Sequence, residues 1–309
     1  MERKLSLGID TSNYTSSVAL LDGDRILEDR RCLLKVKQGE RGLRQSDALF
    51  QHWTNLPLLL EPVLKSYSDS IGRICVSTKP RPAEGSYMPV FNAGASAAKI
   101  LSDALAVPLV ECSHQEGHIL AASLDNDIDF DSPVLCAHLS GGTLEIVRYD
   151  RGSISIVSGT LDISYGQLID RTGVAMGFGF PAGKEIDRLA VEFINDSSIS
   201  AASRKNPLCK ASLKNGSVNL SGIETQVMKK LDSFSQREIA FFLMERISQS
   251  FIEVMEKARK TSGINQVLIT GGVASSSFLR TACKEPGYRF GRQALCSDNA
   301  VGVARFKIK

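Results

Sequence analysis

The chain has 309 residues, 43% of them hydrophobic and 23% charged, enough for one large or two medium cores without disulfide or metal staples. That balance excludes disordered and collagen-like classes, and a net charge of +3 neither names nor excludes a nucleic acid partner. No apolar run approaches the ~18 residues of a membrane span. The start, MERKLSLGID, is charged and soon polar, unlike a secretion signal. The seven scattered cysteines (Cys32, Cys75, Cys112, Cys136, Cys209, Cys283, Cys296) contain no CxxC and read as reduced, cytoplasmic thiols.

Along the chain, Leu5 to Ile9 reads as a short buried strand, followed by a polar stretch from Asp10 to Ser17 and a strand from Val18 to Leu21. Asp22-Gly23 signals a hairpin turn into a third strand, Arg25 to Leu33. A helical pattern runs from Asp47 to Lys65, with an interruption expected at Pro57. Arg73 to Val76 is a strand, Asn92 is placed to cap a helix of small residues, and Pro108 to Glu111 starts another strand. Ser113 is placed to cap the helix that carries His114 and His118.

Asn126 to Pro133 is acidic and reads as a linker, after which the pattern restarts. Val134 to Leu139, Leu144 to Tyr149 and Ser153 to Val157 are strands, separated by the turns Ser140-Gly141-Gly142 and Asp150-Arg151-Gly152. Strand, polar loop, strand, turn, strand and then helices thus occur twice, an internal duplication by pattern. Residues 196–231 are rich in Ser and Lys, fit no clear element and read as an insertion with short helices. Ser235 and Glu238 form a capping-box pattern ahead of a helical face of Ile239, Phe242, Leu243, Ile247, Phe251 and Val254, stopped by Gly263. Gln266 to Thr270 is a strand, Gly271-Gly272 a tight turn, and a helix is expected from Ser275.

Among candidate chemistry, His114 and His118 stand out. Spaced i, i+4, they sit about 40° apart on one helix face and can share one ion. The segment is not the HExxH of a metallopeptidase: Gln115 takes the glutamate position, and Glu116 points about 160–200° away. An aspartate beside the histidines would complete a set suited to a divalent transition metal. Asp298 is the candidate, with a helix N-cap before residues 299–306 as its alternative role. The Gly-rich turns at Ser140-Gly141-Gly142 and Gly271-Gly272 permit close approach of a phosphate but match neither a P-loop nor GxGxxG.

In order, LGIDTSNYTSSVALLD, SHQEGHILA, LSGGT, LIDRTGVAMGFGFPAGKEID, LITGGVASSSFLR and CSDNAVGVA resemble segments of the tRNA N6-threonylcarbamoyladenosine transferase (TsaD) family, once labelled O-sialoglycoprotein endopeptidases. The resemblance implies an α/β protein of the duplicated actin-like, sugar-kinase-like (ASKHA) ATPase fold, with two similar lobes and a nucleotide cleft. The lobes would run 1–131 and 132–309, the second with an inserted helical stretch near 184–262. It implies one divalent metal, iron or zinc, on His114, His118 and Asp298. It implies ATP or an adenylate near Asp10, Leu139, Ser140, Gly141, Gly142, Thr143, Asp170, Gly183, Asp187 and Ser276.

The activity so implied is transfer of threonylcarbamoyl from threonylcarbamoyl-AMP to N6 of adenosine in tRNA. A scaffold paralogue and a small ATPase are the implied partners, with no membrane role. The basic residues Arg204, Lys205, Lys210, Lys214, Lys229 and Lys230 read first as a solvated face and second as a tRNA contact. Four departures from the family pattern stand out. Tyr14-Thr15 replaces an acidic pair, Lys79-Pro80-Arg81-Pro82 replaces a GPG turn, Thr143 replaces a histidine and Ser276 an asparagine. They leave two alternatives: a paralogue that passes a carbamoyl-type group to another acceptor, or a non-catalytic nucleotide-binding scaffold.

Overall fold

The computed structural model describes residues 4–12, 14–36 and 43–306; Asn13 of the opening segment and the first three residues of the N-terminal stretch lie outside the described residues. The chain divides into two compact units, Met1–Asn126 with Ala294–Lys309, and residues 127–293.

The first unit begins with β1 (Leu5–Asp10), β2 (Thr15–Asp22) and β3 (Arg25–Leu33), an antiparallel meander. Next come α1 (Gln45–Tyr67), β4 (Ile71–Lys79), α2 (Phe91–Leu105), β5 (Leu109–Ser113) and α3 (His114–Ser123). The five strands make one sheet in the order β3-β2-β1-β4-β5, with β4 parallel to β1 and to β5. Alternation along β2 covers both faces. Val18 and Leu20 pack with Leu56, Leu60 and Val63 of α1, whereas Ala19 and Leu21 pack with Ala121, Leu124 and Val301.

Two local expectations change here. α1 is continuous through Pro57 and Pro62. Each proline removes a backbone donor, but the face Ala48, His52, Leu56, Leu60 and Val63 is buried, and that packing outweighs the lost bonds. Asn92 does not cap α2; it is the second helical residue, and its Nδ2 donates to the Tyr87 hydroxyl at 3.1 Å. The cap is supplied from a distance by Thr11, whose Oγ1 accepts from the Gly94 amide at 3.1 Å and donates to the Val90 carbonyl at 3.0 Å.

The second unit holds β6 (Val134–Leu139), β7 (Leu144–Asp150), β8 (Ser153–Gly159), α4 (Tyr165–Ala175) and α5 (Gly183–Asn195). The Ser- and Lys-rich stretch contains a small hairpin, β9 (Ser212–Lys214) with β10 (Ser217–Asn219), and α6 (Ser221–Lys230). Then follow α7 (Gln236–Ser262), β11 (Val267–Thr270), α8 (Ser277–Ala282) and β12 (Tyr288–Phe290). The expected capping box opens α7, and its apolar face is buried. A short turn at Gly272–Ser275 precedes α8, so the helix begins two residues later than its pattern suggests, with the Ser276 hydroxyl accepting from the Leu279 amide at 3.0 Å.

The sheet of this unit has the order β12-β11-β6-β7-β8. Read from β8, it repeats the first unit strand for strand: an antiparallel meander, then two parallel additions. The duplication read from the sequence is therefore a duplication of topology.

The chain ends with α9 (Val301–Ala304) in the first unit. The resemblance puts the lobes at 1–131 and 132–309, whereas the compact units part at 126 and 127, and 294–309 returns to the first. The return rests on backbone proximity. A Cβ on Gly302 would overlap the Gly117 carbonyl oxygen and lie 2.6 Å from the Ala121 nitrogen, and one on Gly8 would lie 2.7 Å from the Ala304 nitrogen. Only glycine permits β1, α3 and α9 to approach this closely.

Candidate metal centre and nucleotide loop

The carboxyl ends of the parallel strands β1, β4 and β5 lie side by side, where α/β sheets generally place their sites. β1 ends in Asp10, and β5 ends in Ser113, directly ahead of α3. Ser113 and Glu116 form a full capping box: the Ser113 hydroxyl accepts from the Glu116 amide at 3.2 Å, and the Glu116 carboxylate accepts from the Ser113 amide at 2.8 Å. Glu116 is thus committed to the helix start and is not a base beside the histidines. The S-x-x-E spacing was its sequence signal. Ser113→Ala is expected to cost about 1 kcal/mol of stability, read from the shift in urea midpoint at constant m-value.

The capped helix presents His114 and His118 with ring centroids 4.4 Å apart. Asp298 comes from the loop before α9, and its Oδ1 lies 3.5 Å from His114 Nε2 and 3.3 Å from His118 Nε2. Asp298 does not cap α9: its N-cap residue is Ala300, and the first amides are met by Asn299, whose Oδ1 accepts from Val301 at 3.0 Å and Gly302 at 3.4 Å. Asn299 Nδ2 also donates to the carbonyls of Leu295 and Ser297, both at 2.9 Å. The loop is pinned by Asn299, which leaves Asp298 to face the histidines. Asp10, expected with the nucleotide set, sits here too, with Oδ2 at 3.3 Å from His114 Nδ1.

The electrostatics suit a cation. Burial disfavours charge on His114, but Asp10 and Asp298 outweigh it and raise its pKa to about 10. At His118, burial and then the charge of His114 push the pKa down, against Asp298. Burial raises the Asp298 carboxyl, but hydrogen bonds and charge from both histidines hold it well below the usual range. A divalent ion about 2.1 Å from its donors spaces them about 3.0–3.4 Å apart, close to the nitrogen–oxygen separations here. His114 and Asp298 are 15% and 18% exposed, against 2% for His118, so the set is reachable from one side. Two imidazoles and a carboxylate fit iron or zinc and leave positions open.

The remaining candidates all belong to the second unit. Ser140 to Thr143 closes the β6–β7 hairpin, with the Ser140 amide donating to the Thr143 carbonyl at 2.8 Å and the Thr143 amide to the Ser140 hydroxyl at 3.0 Å. Leu139 is fully buried in the sheet and offers this loop only its backbone. The Ser164 hydroxyl, which caps α4, donates to the Gly141 carbonyl at 2.7 Å. A Cβ on Gly166 would lie 2.9 Å from the Gly141 nitrogen, so α4 is seated directly against the loop. The outward sides of Gly141 and Gly142 are open.

Asp170 accepts from the Ala182 amide at 2.8 Å and braces the start of α5 at Gly183; burial raises its pKa against the amides of Ala182 and Gly183. Asp187 receives the amides of Ser277 at 2.9 Å and Phe278 at 3.1 Å, together with the Ser276 hydroxyl at 2.5 Å. Both aspartates therefore have protein partners that sequence spacing did not reveal, those of Asp187 about 90 residues away. The basic residues are dispersed over separate elements: Lys210 pairs with Glu253 at 3.7 Å, Arg204 donates to the Asp196 carbonyl at 2.9 Å, and Lys214 lies in β9.

Two similar α/β units, each built on the same five-strand order, define the duplicated actin-like, sugar-kinase-like fold. Solved structures agree. HypF in its phosphate- and nucleotide-bound form matches 99% of this chain and 55% of its own length, at TM-score 0.60 and 13% identity. A ROK family glucokinase from Streptomyces griseus matches 97% of this chain and 98% of its own, at TM-score 0.50 and 10% identity. The model of the family TsaD, tRNA N6-adenosine threonylcarbamoyltransferase, matches residues 36–305, and the chain belongs to this family. It is 33% identical to the tRNA N6-adenosine threonylcarbamoyltransferase of Bacillus subtilis, over 96% of this chain and 88% of that protein. It is 29% identical to the protein of that description from Thermosipho melanesiensis, over 98% of this chain and 94% of the relative. Among the described residues no helix is long and apolar enough to cross a membrane.

Proposed function

We propose that the chain is a metal- and nucleotide-dependent transferase that moves threonylcarbamoyl from threonylcarbamoyl-AMP to N6 of adenosine in tRNA. The observation that carries this reading is the convergence of His114, His118 and Asp298 into one donor set within 4.8 Å. A bound iron or zinc ion would supply Lewis acidity toward a carbonyl or phosphoryl oxygen of the donor. His114 and Asp298 line the reachable side, where the acyl group is to be oriented, and His118 closes the buried side. The open faces of Gly141 and Gly142 leave their backbone accessible to the phosphate of a nucleotide. The adenosine amine attacks the carbamoyl carbon, the bond to the phosphate oxygen breaks, AMP leaves with that oxygen and the amine's proton passes to water.

A second reading, transfer to another acceptor, is favoured by the opening segment. Where the family carries an acidic pair, Thr15 is buried in β2, opposite Leu33, and neither it nor Tyr14 supplies a carboxylate. Expression in a strain lacking the transferase, with nucleoside analysis of its tRNA, separates the two. The expected result is restoration of the modified adenosine by the wild type and its loss with His118→Ala. Its absence from a well-expressed, metal-loaded wild type would assign the chain to another acceptor, and absence of metal as well would favour a scaffold.

A further inference from the structure

We infer that Asp10 is a positioning residue for the cation of the His114, His118 and Asp298 set, an inference that rests on the metal reading above. Asp10 is fully buried at the carboxyl end of β1, with Oδ2 at 3.3 Å from His114 Nδ1. Two hydroxyls hold its carboxylate. Ser12 Oγ donates to Oδ2 at 2.8 Å, and Ser77 Oγ, on the neighbouring strand β4, donates to Oδ1. With both oxygens engaged, the group is fixed in rotation as well as in place.

With its oxygens accepting from Ser12 and Ser77, Asp10 faces His114 Nδ1 as an acceptor, which places the hydrogen on Nδ1 and leaves Nε2 as the nitrogen to turn to an ion. That Nε2 is the atom 3.5 Å from Asp298 Oδ1, the oxygen that His118 Nε2 also faces at 3.3 Å. Both rings therefore aim the same kind of nitrogen at one point, and for His114 the choice is set by Asp10. Complete burial gives Asp10 no surface to offer a nucleotide, so it acts through the histidine. Carboxylates that orient metal-bound histidines in this way typically contribute about 10–100-fold to metal affinity.

The test is calorimetric titration of the metal-free full-length protein with Zn2+ and Co2+, together with the visible absorption of the Co2+ form, which reports ligand geometry. Wild type, Asp10→Ala, Asp10→Asn and Ser77→Ala are compared. Asp10→Ala is expected to weaken affinity about 10–100-fold and to alter the Co2+ band. Asp10→Asn, whose amide oxygen still accepts from Nδ1, is expected to recover part of both, and Ser77→Ala to lose less than Asp10→Ala. Asp10→Asn is nearly isosteric and keeps the question answerable if Asp10→Ala fails to fold. Wild-type affinity and an unchanged band in both Asp10 variants would overturn the inference while leaving the metal reading in place. Failure of the wild type to bind either ion would overturn the metal reading and this inference with it.

Discussion

Asp298→Ala is expected to abolish stable metal loading, lowering affinity by more than the roughly 100-fold upper range typical of outer carboxylates. The candidate set offers three donors, and Asp298 Oδ1 is the one both imidazoles face. Without it, only two imidazoles on one helix remain, with no anionic ligand to hold a divalent ion against water. Asn299 braces the loop through four hydrogen bonds that do not involve the Asp298 side chain, so the variant is expected to fold. Metal analysis after desalting, with Zn2+ titration of the metal-free form, checks this. Wild-type loading in a folded Asp298→Ala protein would remove Asp298 from the site. Its failure would also weaken the transferase reading, which rests on the same three residues.

Gly302→Ala carries the largest expected cost in stability. The added Cβ would overlap the Gly117 carbonyl oxygen and come within 2.6 Å of the Ala121 nitrogen. Both are backbone atoms of a helix, so no side-chain rotation relieves the clash and the chain end itself must move. Overpacking a core usually costs about 1–3 kcal/mol, and this contact is expected to lie at or above the top of that range. Because α9 follows directly on the Asp298–Ala300 loop, the same displacement is expected to weaken metal binding. Gly222, near the start of α6, has nothing within reach of a new Cβ. Gly222→Ala is expected to be neutral or to stabilise by up to about 1 kcal/mol. Denaturant midpoints for the two variants check the contrast; similar midpoints would show that the close approach of α3 and α9 is not needed.

The motif positions show where local pattern suffices and where it stops. Ser113 and Ser235 cap their helices as their spacing indicates, because a capping box closes within four residues. Asn92 has the right chemistry in nearly the right place, yet the start of α2 is satisfied by Thr11, a residue 83 positions away. Pro57 marks a break by local rules, but α1 continues because its opposite face is buried. Asp10 shows the same limit at the site: its place at the end of β1 is legible, whereas its partners come from the neighbouring strand β4 (Ser77) and from the start of α3 (His114), far along the chain.

The amino-acid sequence alone determined most of the strand and helix series outside residues 196–231, its repetition, the pairing of His114 with His118 on one helix face, and the family. These rest on periodicity and spacing within a few residues, or on motif order along the chain. Only the tertiary structure decided that residues 294–309 return to the first unit, that Asp298 reaches the histidines while Asn299 holds the first amides of α9, and that Asp10 lies beside His114. The reason is that such contacts depend on sheet order and on close backbone packing at Gly8, Gly117 and Gly302, which bring together residues up to 298 positions apart.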